Sequence, residues 1–394
     1  MRVLLIDVTC KVGSTGKIVY DLYTELNNQG HVAGIAYGRG PIVNETNIYK
    51  FGLDLETYFH GAMNRLTGIH GSFSLISTQR LIKFIENFKP DIIHIHELHG
   101  YFVNIVSVLK YLKKTKTKTV WTFHCEYMYE AKGYVYSKEE NPNWVRKNEY
   151  PSSLFFDLSK WSVKRYKKIF DDISNLIIVS PSEWLAQRTR NTYLAKYEIK
   201  VINNGINHEV FKIKNFEYLK SQYSFGDKKI ILSVAPNIME ERKGGKNILE
   251  LSKKLPTNKF QFILIGAENP GLKTPENMLL IPKTQNQDML ADYYSYADYF
   301  VIPSSRENFP TTCVESLSCG TPVLGFNRGG TSETAPYPYG KFFEYGDIDS
   351  ISDYLLNADQ NVLASPTDCE NYAKQRYSKK TMTSKYIDLY ETLS

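Results

Sequence analysis

With 394 residues, 42% hydrophobic and 23% charged, the chain has the composition of a soluble globular protein with core enough for two or three domains. Five cysteines, odd in number and without a CxxC pair, signal neither a zinc knuckle nor a disulfide framework and suit a reducing, cytoplasmic setting. A formal charge of +6 without a recognised binding motif argues against nucleic acid, Asp7 inside the first apolar run argues against a signal peptide, and no window approaches the roughly 20 apolar residues of a membrane span.

The first expected element is a strand, Arg2 to Val8, followed by Gly13-Ser14-Thr15-Gly16-Lys17 and an amphipathic run carrying Ile18, Leu22 and Leu26. A P-loop would need Gly at position 11 and Ser or Thr at 18, where the chain has Lys11 and Ile18. GxGxxG is likewise reduced to one GxxG pair. What remains is a glycine turn that opens a helix, either a plain strand-to-helix turn or a place where free amides favour an anion.

Further strands are expected at Val32 to Tyr37, Asp91 to His96, Thr119 to His124 and Asn175 to Ser180. His96, Glu97 and His99 fall at the mouth of the strand Asp91 to His96, where a metal could be imagined but no third ligand is assignable; His94 reads as a satisfied core histidine. Basic residues outnumber acidic ones 27 to 19 over residues 1–200 and trail them 21 to 23 over 201–394. Much of the excess lies in Tyr111 to Thr119 and in Lys160 to Phe170, where Trp161, Tyr166 and Phe170 interleave with Lys160, Lys164, Arg165, Lys167 and Lys168. The latter predicts a basic amphipathic helix, suited to an anionic membrane face or a phosphate-bearing partner, or simply solvated.

Asn-Asn-Gly and an irregular charged stretch over Val201 to Tyr218 break the alternation and suit an interdomain connection. Beyond it, strands are expected at Lys229 to Ala235, Phe260 to Gly266, Asn277 to Pro282, Asp298 to Pro303 and Thr321 to Phe326. Short runs apolar on both faces, each followed by a helix-length segment, mark parallel sheets covered on both sides. Ten of them exceed one comfortable sheet. The expected fold is therefore α/β, two doubly wound parallel-sheet, Rossmann-like domains facing across a cleft.

The stretch ADYFVIPSSRENFPTTCVESLSCGTPVLGFNRGGTSE is the most informative. Glu307 falls in the loop at the carboxyl end of a strand, Pro310 opens a short helix ending near Gly320, and Glu315 follows Glu307 by eight positions. Both carboxylates can face one crevice, where ligands of open α/β sheets bind. The amides of Thr311 and Thr312 favour a phosphate.

At these residues the chain resembles the retaining, nucleotide-sugar-dependent glycosyltransferases of family 4, which have the GT-B fold. Glu307 and Glu315 match their E-x7-E pair, with PSSRENFP, ESLSCGTPV and Gly329-Gly330 with Glu333 around it. CKVGSTGKIVYDLY, IHIHELHGYF, VWTFH, SPSEWLA, NNGI and ERKGG match the bacterial surface-polysaccharide branch. The resemblance implies an acceptor domain over residues 1–202, a donor domain over 203–372, a C-terminal helix over 373–394 crossing back, and closure about Asn203 to Ile206. It implies that Gly13 and Gly16 line the cleft near the donor phosphates, that Arg242 and Lys243 hold the diphosphate, that Glu307 binds sugar hydroxyls and Glu315 the ribose. Asn308, Phe309, Pro310, Thr311 and Thr312 complete the donor site, His124 contacts the transferred sugar, and His96 and His99 lie on the acceptor side.

The implied reaction moves a glycosyl group from a nucleoside diphosphate sugar to a glycan or polyprenyl-diphosphate-linked acceptor, with retention. It needs no cofactor or metal, and the departing diphosphate accepts the acceptor's proton. Retaining glycosidases instead place two carboxylates about 5 Å apart, one as nucleophile. A non-catalytic subunit of this form and a nucleotide-sugar epimerase are the alternatives; the absent GxGxxG disfavours a dehydrogenase. Tyr37 to Ser77 and Cys125 to Pro151 set the acceptor, and the latter holds only one cysteine, Cys125, where comparable members often carry several.

Overall fold

The computed structural model describes residues 1–269, 271, 273–284, 286–357 and 363–393. The chain divides into two units, Met1–Asn203 with Met382–Ser394, and Asn204–Thr381.

In the first unit, β1 (Arg2–Asp7), β2 (Val32–Tyr37), β3 (Ile48–Lys50), β4 (Ile92–Ile95), β5 (Lys118–Thr122), β6 (Leu176–Ser180) and β7 (Glu198–Val201) form one sheet in the order 3-2-1-4-5-6-7. Every pairing in it is parallel. Alternate residues of β1 serve opposite faces. Val3 and Leu5 join Ile18, Val19, Leu22 and Leu26 of the helix Gly13–Asn28, whereas Leu4 and Ile6 join the other core layer. Each fully buried aliphatic side chain contributes about 1.5–3 kcal/mol relative to exposure, and that two-sided burial is why the interior strands are apolar throughout.

The second unit repeats the plan with β8 (Lys229–Val234), β9 (Phe260–Ala267), β10 (Met278–Pro282), β11 (Tyr299–Ile302), β12 (Val323–Phe326) and β13 (Gly340–Phe343), parallel and in the order 10-9-8-11-12-13. Here Ile231 faces one core layer, and Ile230 with Leu232 the other. The helix Pro366–Tyr377 packs on the helix Thr311–Ser318. Beyond it, the chain re-enters the first unit within the helix Lys379–Glu391, whose Met382, Tyr386 and Tyr390 are buried there.

All ten expected strands are present, each within two residues of its expected bounds. Three more, β3, β7 and β13, were not expected, and each is a sheet edge. An edge strand pairs on one side only and tolerates polar residues: Glu198 is exposed and Ile199 to Val201 half-buried. Val201 therefore ends a strand instead of beginning the connection.

In both sheets the strand order reverses at one point, between β1 and β4 and between β8 and β11. Loops leaving the carboxyl ends of strands on either side of such a reversal part and leave a crevice for ligands.

Candidate active site

At the reversal point of the second sheet, the loop after β8 ends in a tight turn, Glu241–Lys243, closed by Gly244 at φ 76°. A Cβ on Gly244 would lie 2.2 Å from the Pro303 carbonyl oxygen, so only glycine lets this turn press on the end of β11. The Ser305 amide donates to the Arg242 carbonyl (2.9 Å), which stitches the two loops together. Consequently Lys243 Nζ donates to Glu307 Oε1 at 2.6 Å, and Arg242 Nη1 reaches the same oxygen at 3.3 Å. Burial pushes the Glu307 carboxyl up, but Lys243 and then Arg242 outweigh it and hold the group below the usual carboxylate range. Arg242 and Lys243, adjacent in sequence, thus both reach Glu307.

The backbone of Glu307 is fixed from the other side. Gly330 N–H donates to the Glu307 carbonyl (2.9 Å), and Gly329, at φ 66°, passes so close that a Cβ would lie 1.9 Å from that oxygen. The Gly-Gly pair therefore sets the position of the glutamate. The helix Thr311–Ser318 begins after Pro310 without a side-chain cap, so its first amides, those of Thr311 and Thr312, face whatever lies at its N-terminus. Glu315, one turn on, accepts from the buried Tyr294 hydroxyl at 3.1 Å. The Phe309 side chain turns inward. It is buried in the apolar core, edge-on to Tyr377 at 5.5 Å, because an aromatic beside a packed helix gains more from core contact than from a polar crevice. Asn308 and Arg306 are buried beside it.

The first unit gathers its polar residues at its own reversal point. Asp7 ends β1, fully buried, and its carboxylate accepts from Thr9 N–H, Thr15 Oγ1 and Glu97 N–H at 3.0–3.3 Å. Gly13 has φ 73°, and a Cβ on Gly16 would meet Thr9 Oγ1 at 2.5 Å. Close approach at Gly16 therefore serves the chain's own turn. His124, two residues beyond β5, shares a 3.0 Å hydrogen bond with His96 Nδ1 through its Nε2. Burial lowers the pKa of both rings and keeps them neutral.

His99 Nε2 lies 2.7 Å from Glu97 Oε2. Burial opposes charge on both groups, but each favours the ionised form of the other, leaving the imidazole raised well above its ordinary value and the carboxyl lowered. Cys125 Sγ donates to the same Glu97 oxygen at 3.9 Å. Sequence offered no third ligand here, and the structure supplies one: single donor atoms of Glu97, His99 and Cys125 lie within 4.8 Å of one another. His99 and Glu97 already pair with each other, so a cation would have to break that contact. His94 is a core residue, bonded to Tyr390 (2.6 Å) and Thr122 (2.8 Å).

Asp7 was not expected in a site. Burial raises its pKa to about 7, so the folded state loses stability relative to the unfolded chain as pH climbs from about 4 to about 7, and the loss then levels off. Asp7→Asn removes this dependence. Its melting temperature relative to wild type is expected to be more favourable at pH 8 than at pH 5. An equal difference at both pH values would show that Asp7 titrates normally.

Two doubly wound parallel sheets, each with charged and polar side chains gathered where its strand order reverses, define the two-domain GT-B class. The chain is a glycosyltransferase of this class: residues 15–210 match Glycosyltransferase Family 4, and residues 215–376 match Glycosyl transferases group 1. It is 22% identical over 428 residues to a putative colanic acid biosynthesis glycosyl transferase of Escherichia coli, covering all of both chains. Among solved structures it is similar to sucrose-phosphate synthase from Thermosynechococcus elongatus (TM-score 0.71, 14% identity, 100% and 98% of the two chains). It is also similar to Anabaena HepE in complex with UDP-glucose (TM-score 0.68, 13% identity, 100% of both).

Proposed function

We propose that the protein moves a sugar from a nucleoside diphosphate sugar, foremost a uridine diphosphate sugar, onto a hydroxyl of a glycan or polyprenyl-diphosphate-linked acceptor in surface-polysaccharide assembly, retaining the anomeric configuration. The observation that carries this reading is the convergence of Lys243 and Arg242 on Glu307 at the reversal point of the second sheet. A diphosphate presents the same two cations with denser negative charge and more acceptor oxygens than one carboxylate. When the cations engage it, Glu307 is left to accept from the sugar hydroxyls and Glu315 from the ribose, while the amides of Thr311 and Thr312 add donors at a helix N-terminus.

Catalysis on this reading is electrostatic. Lys243 and Arg242 stabilise charge growing on the departing diphosphate, which takes the acceptor's proton on the same face. His124, neutral and held by His96, orients the transferred sugar, and His99 stands on the acceptor side. The relation to a colanic acid transferase and the likeness to a UDP-glucose-bound structure support the substrate class. They do not favour the non-catalytic or epimerase readings.

Incubating the protein with uridine and guanosine diphosphate sugars tests the reading. Slow release of free sugar is expected from at least one donor, first formed in the donor's anomeric configuration by NMR. It is expected to persist in excess chelator, because cationic side chains handle the diphosphate. Release that disappears in chelator and returns with Mn²⁺ or Mg²⁺ would contradict the metal-free site.

A further inference from the structure

The helix Asp54–Thr67 is inside out. Its buried positions are the polar Thr57, His60 and Asn64, whereas Leu55, Tyr58, Phe59 and Leu66, spaced to lie along one face, project into solvent, Leu55 and Tyr58 at 84% and 76% exposure. Two of the three inward polar residues have partners: His60 Nδ1 bonds Ser74 Oγ at 2.8 Å, and Asn64 Nδ2 donates to the Ser152 carbonyl at 3.2 Å, whereas Thr57 Oγ1 is buried without one. The orientation is thus fixed by the helix's own bonds. The apolar face is prolonged at both ends. Glu56 accepts from the amides of Ile76 and Ser77, which brings exposed Leu75 and Ile76 beside the first turn. Leu154 N–H donates to the Arg65 carbonyl, which brings exposed Leu154, Phe155 and Phe156 to the last.

A contiguous apolar surface of this kind marks an interaction site, and the charge beside it selects the partner. Immediately after Phe156 comes the helix Ser159–Phe170, which buries Tyr166 and Phe170 and exposes Lys160, Lys164, Lys167 and Lys168. Arg165 stacks over the half-exposed Trp161 at 4.6 Å. Nearby acids are engaged: Asp54 with Lys50, Glu56 with the two amides, and Asp157 with Arg146 and the Ser159 amide. Among the described residues no helix is long and apolar enough to cross a membrane.

We infer that this face, the outward stripe of Asp54–Thr67 with Leu154 to Phe156 and the adjoining lysines, seats the protein on the surface of an anionic lipid bilayer. Aromatic and aliphatic side chains enter the headgroup boundary, and the lysines engage lipid phosphates. A folded partner protein would demand matched polar groups around the stripe, whereas a bilayer demands only apolar side chains flanked by cations. The inference deepens the proposed function, since it rests on an acceptor held at the membrane, but the surface itself follows from the packing.

Co-sedimentation of the whole protein with vesicles of phosphatidylcholine, with and without phosphatidylglycerol, tests it. The wild type is expected to pellet with the anionic vesicles at low salt and to be released as salt screens the charges. The triple variant Leu154→Ser, Phe155→Ser, Phe156→Ser and the quadruple variant Lys160→Gln, Lys164→Gln, Lys167→Gln, Lys168→Gln are each expected to bind about tenfold less or weaker still. These are surface positions, so unchanged melting temperature and donor hydrolysis confirm intact variants. Equal binding by the three proteins, no binding by the wild type, or a wild-type dimer that the serine variant dissolves would overturn the inference. Vesicle binding without turnover of any donor would sink the transferase reading and leave the surface standing.

Discussion

Glu307→Ala and Lys243→Ala are each expected to lower transfer by on the order of 10² to 10³, the usual cost of removing one group aimed at charge that develops in the transition state. Both proteins should remain folded. The pair lies at the crevice, with 12% of the glutamate side chain and 16% of the lysine side chain exposed, so water can compensate what either loses. In Lys243→Ala the carboxylate retains Arg242 at 3.3 Å; in Glu307→Ala the two cations face an opening that a diphosphate still fits. The defects should therefore differ in kind: Lys243→Ala weakens capture of the diphosphate itself, whereas Glu307→Ala spares nucleotide binding and loses turnover. Because the folded-state pKa of Glu307 is depressed, its contribution to stability is complete above the unfolded carboxylate pKa and is lost as pH falls through the lower folded value. Transfer assays at neutral pH therefore meet Glu307 as the carboxylate. Near-wild-type turnover at saturating donor in Glu307→Ala, or undiminished donor affinity in Lys243→Ala, would show that the site lies elsewhere.

Gly329→Ala is expected to cost nearly as much as losing Glu307, although no atom of Gly329 need touch substrate. Its added methyl would stand 1.9 Å from the Glu307 carbonyl oxygen and 3.0 Å from the carbonyl carbon, contacts that only backbone displacement relieves. The positive φ adds roughly 1–2 kcal/mol, and moving catalytic groups by about 1 Å can cost on the order of 10²-fold in rate. Gly346→Ala separates strain from position. Gly346 also has positive φ, 86°, but nothing lies within 4 Å of a Cβ placed there. It should lose a little stability and keep its activity, so equal rates for the two variants would mean that the Gly329 contact does not govern Glu307.

The interior strands were legible because burial on two faces leaves a run such as Ile230 to Leu232 no polar choice. Three of the four edges, β3, β7 and β13, were not, since a strand paired on one side can lose that signature; the fourth, β10, is apolar and was legible. In the second unit, the turn at Lys243 and the loop at Glu307 each announce themselves locally, through glycines and charges at strand ends. Asp7, Glu97, His99 and Cys125 assemble only when β1, β4 and β5 lie side by side, and Asp7 alone reads merely as a charge in an apolar run. The inward turn of the Phe309 side chain was not legible, because a motif position does not show which way a side chain turns. The stripe from Leu55 to Leu66 has the period of an ordinary buried face; its outward orientation follows from the partners of His60 and Asn64, which sequence does not display.

The central claim is that the second unit captures a nucleoside diphosphate through Lys243 and Arg242, and calorimetric titration of UDP, with GDP as the alternative base, into the whole protein tests it most directly. Saturable one-site binding is expected for the wild type, weakened about 10- to 100-fold in Lys243→Ala, the equivalent of one charge-assisted hydrogen bond, and little changed in Glu307→Ala. Undiminished affinity in Lys243→Ala, or no binding of either nucleotide by the wild type, would contradict the account.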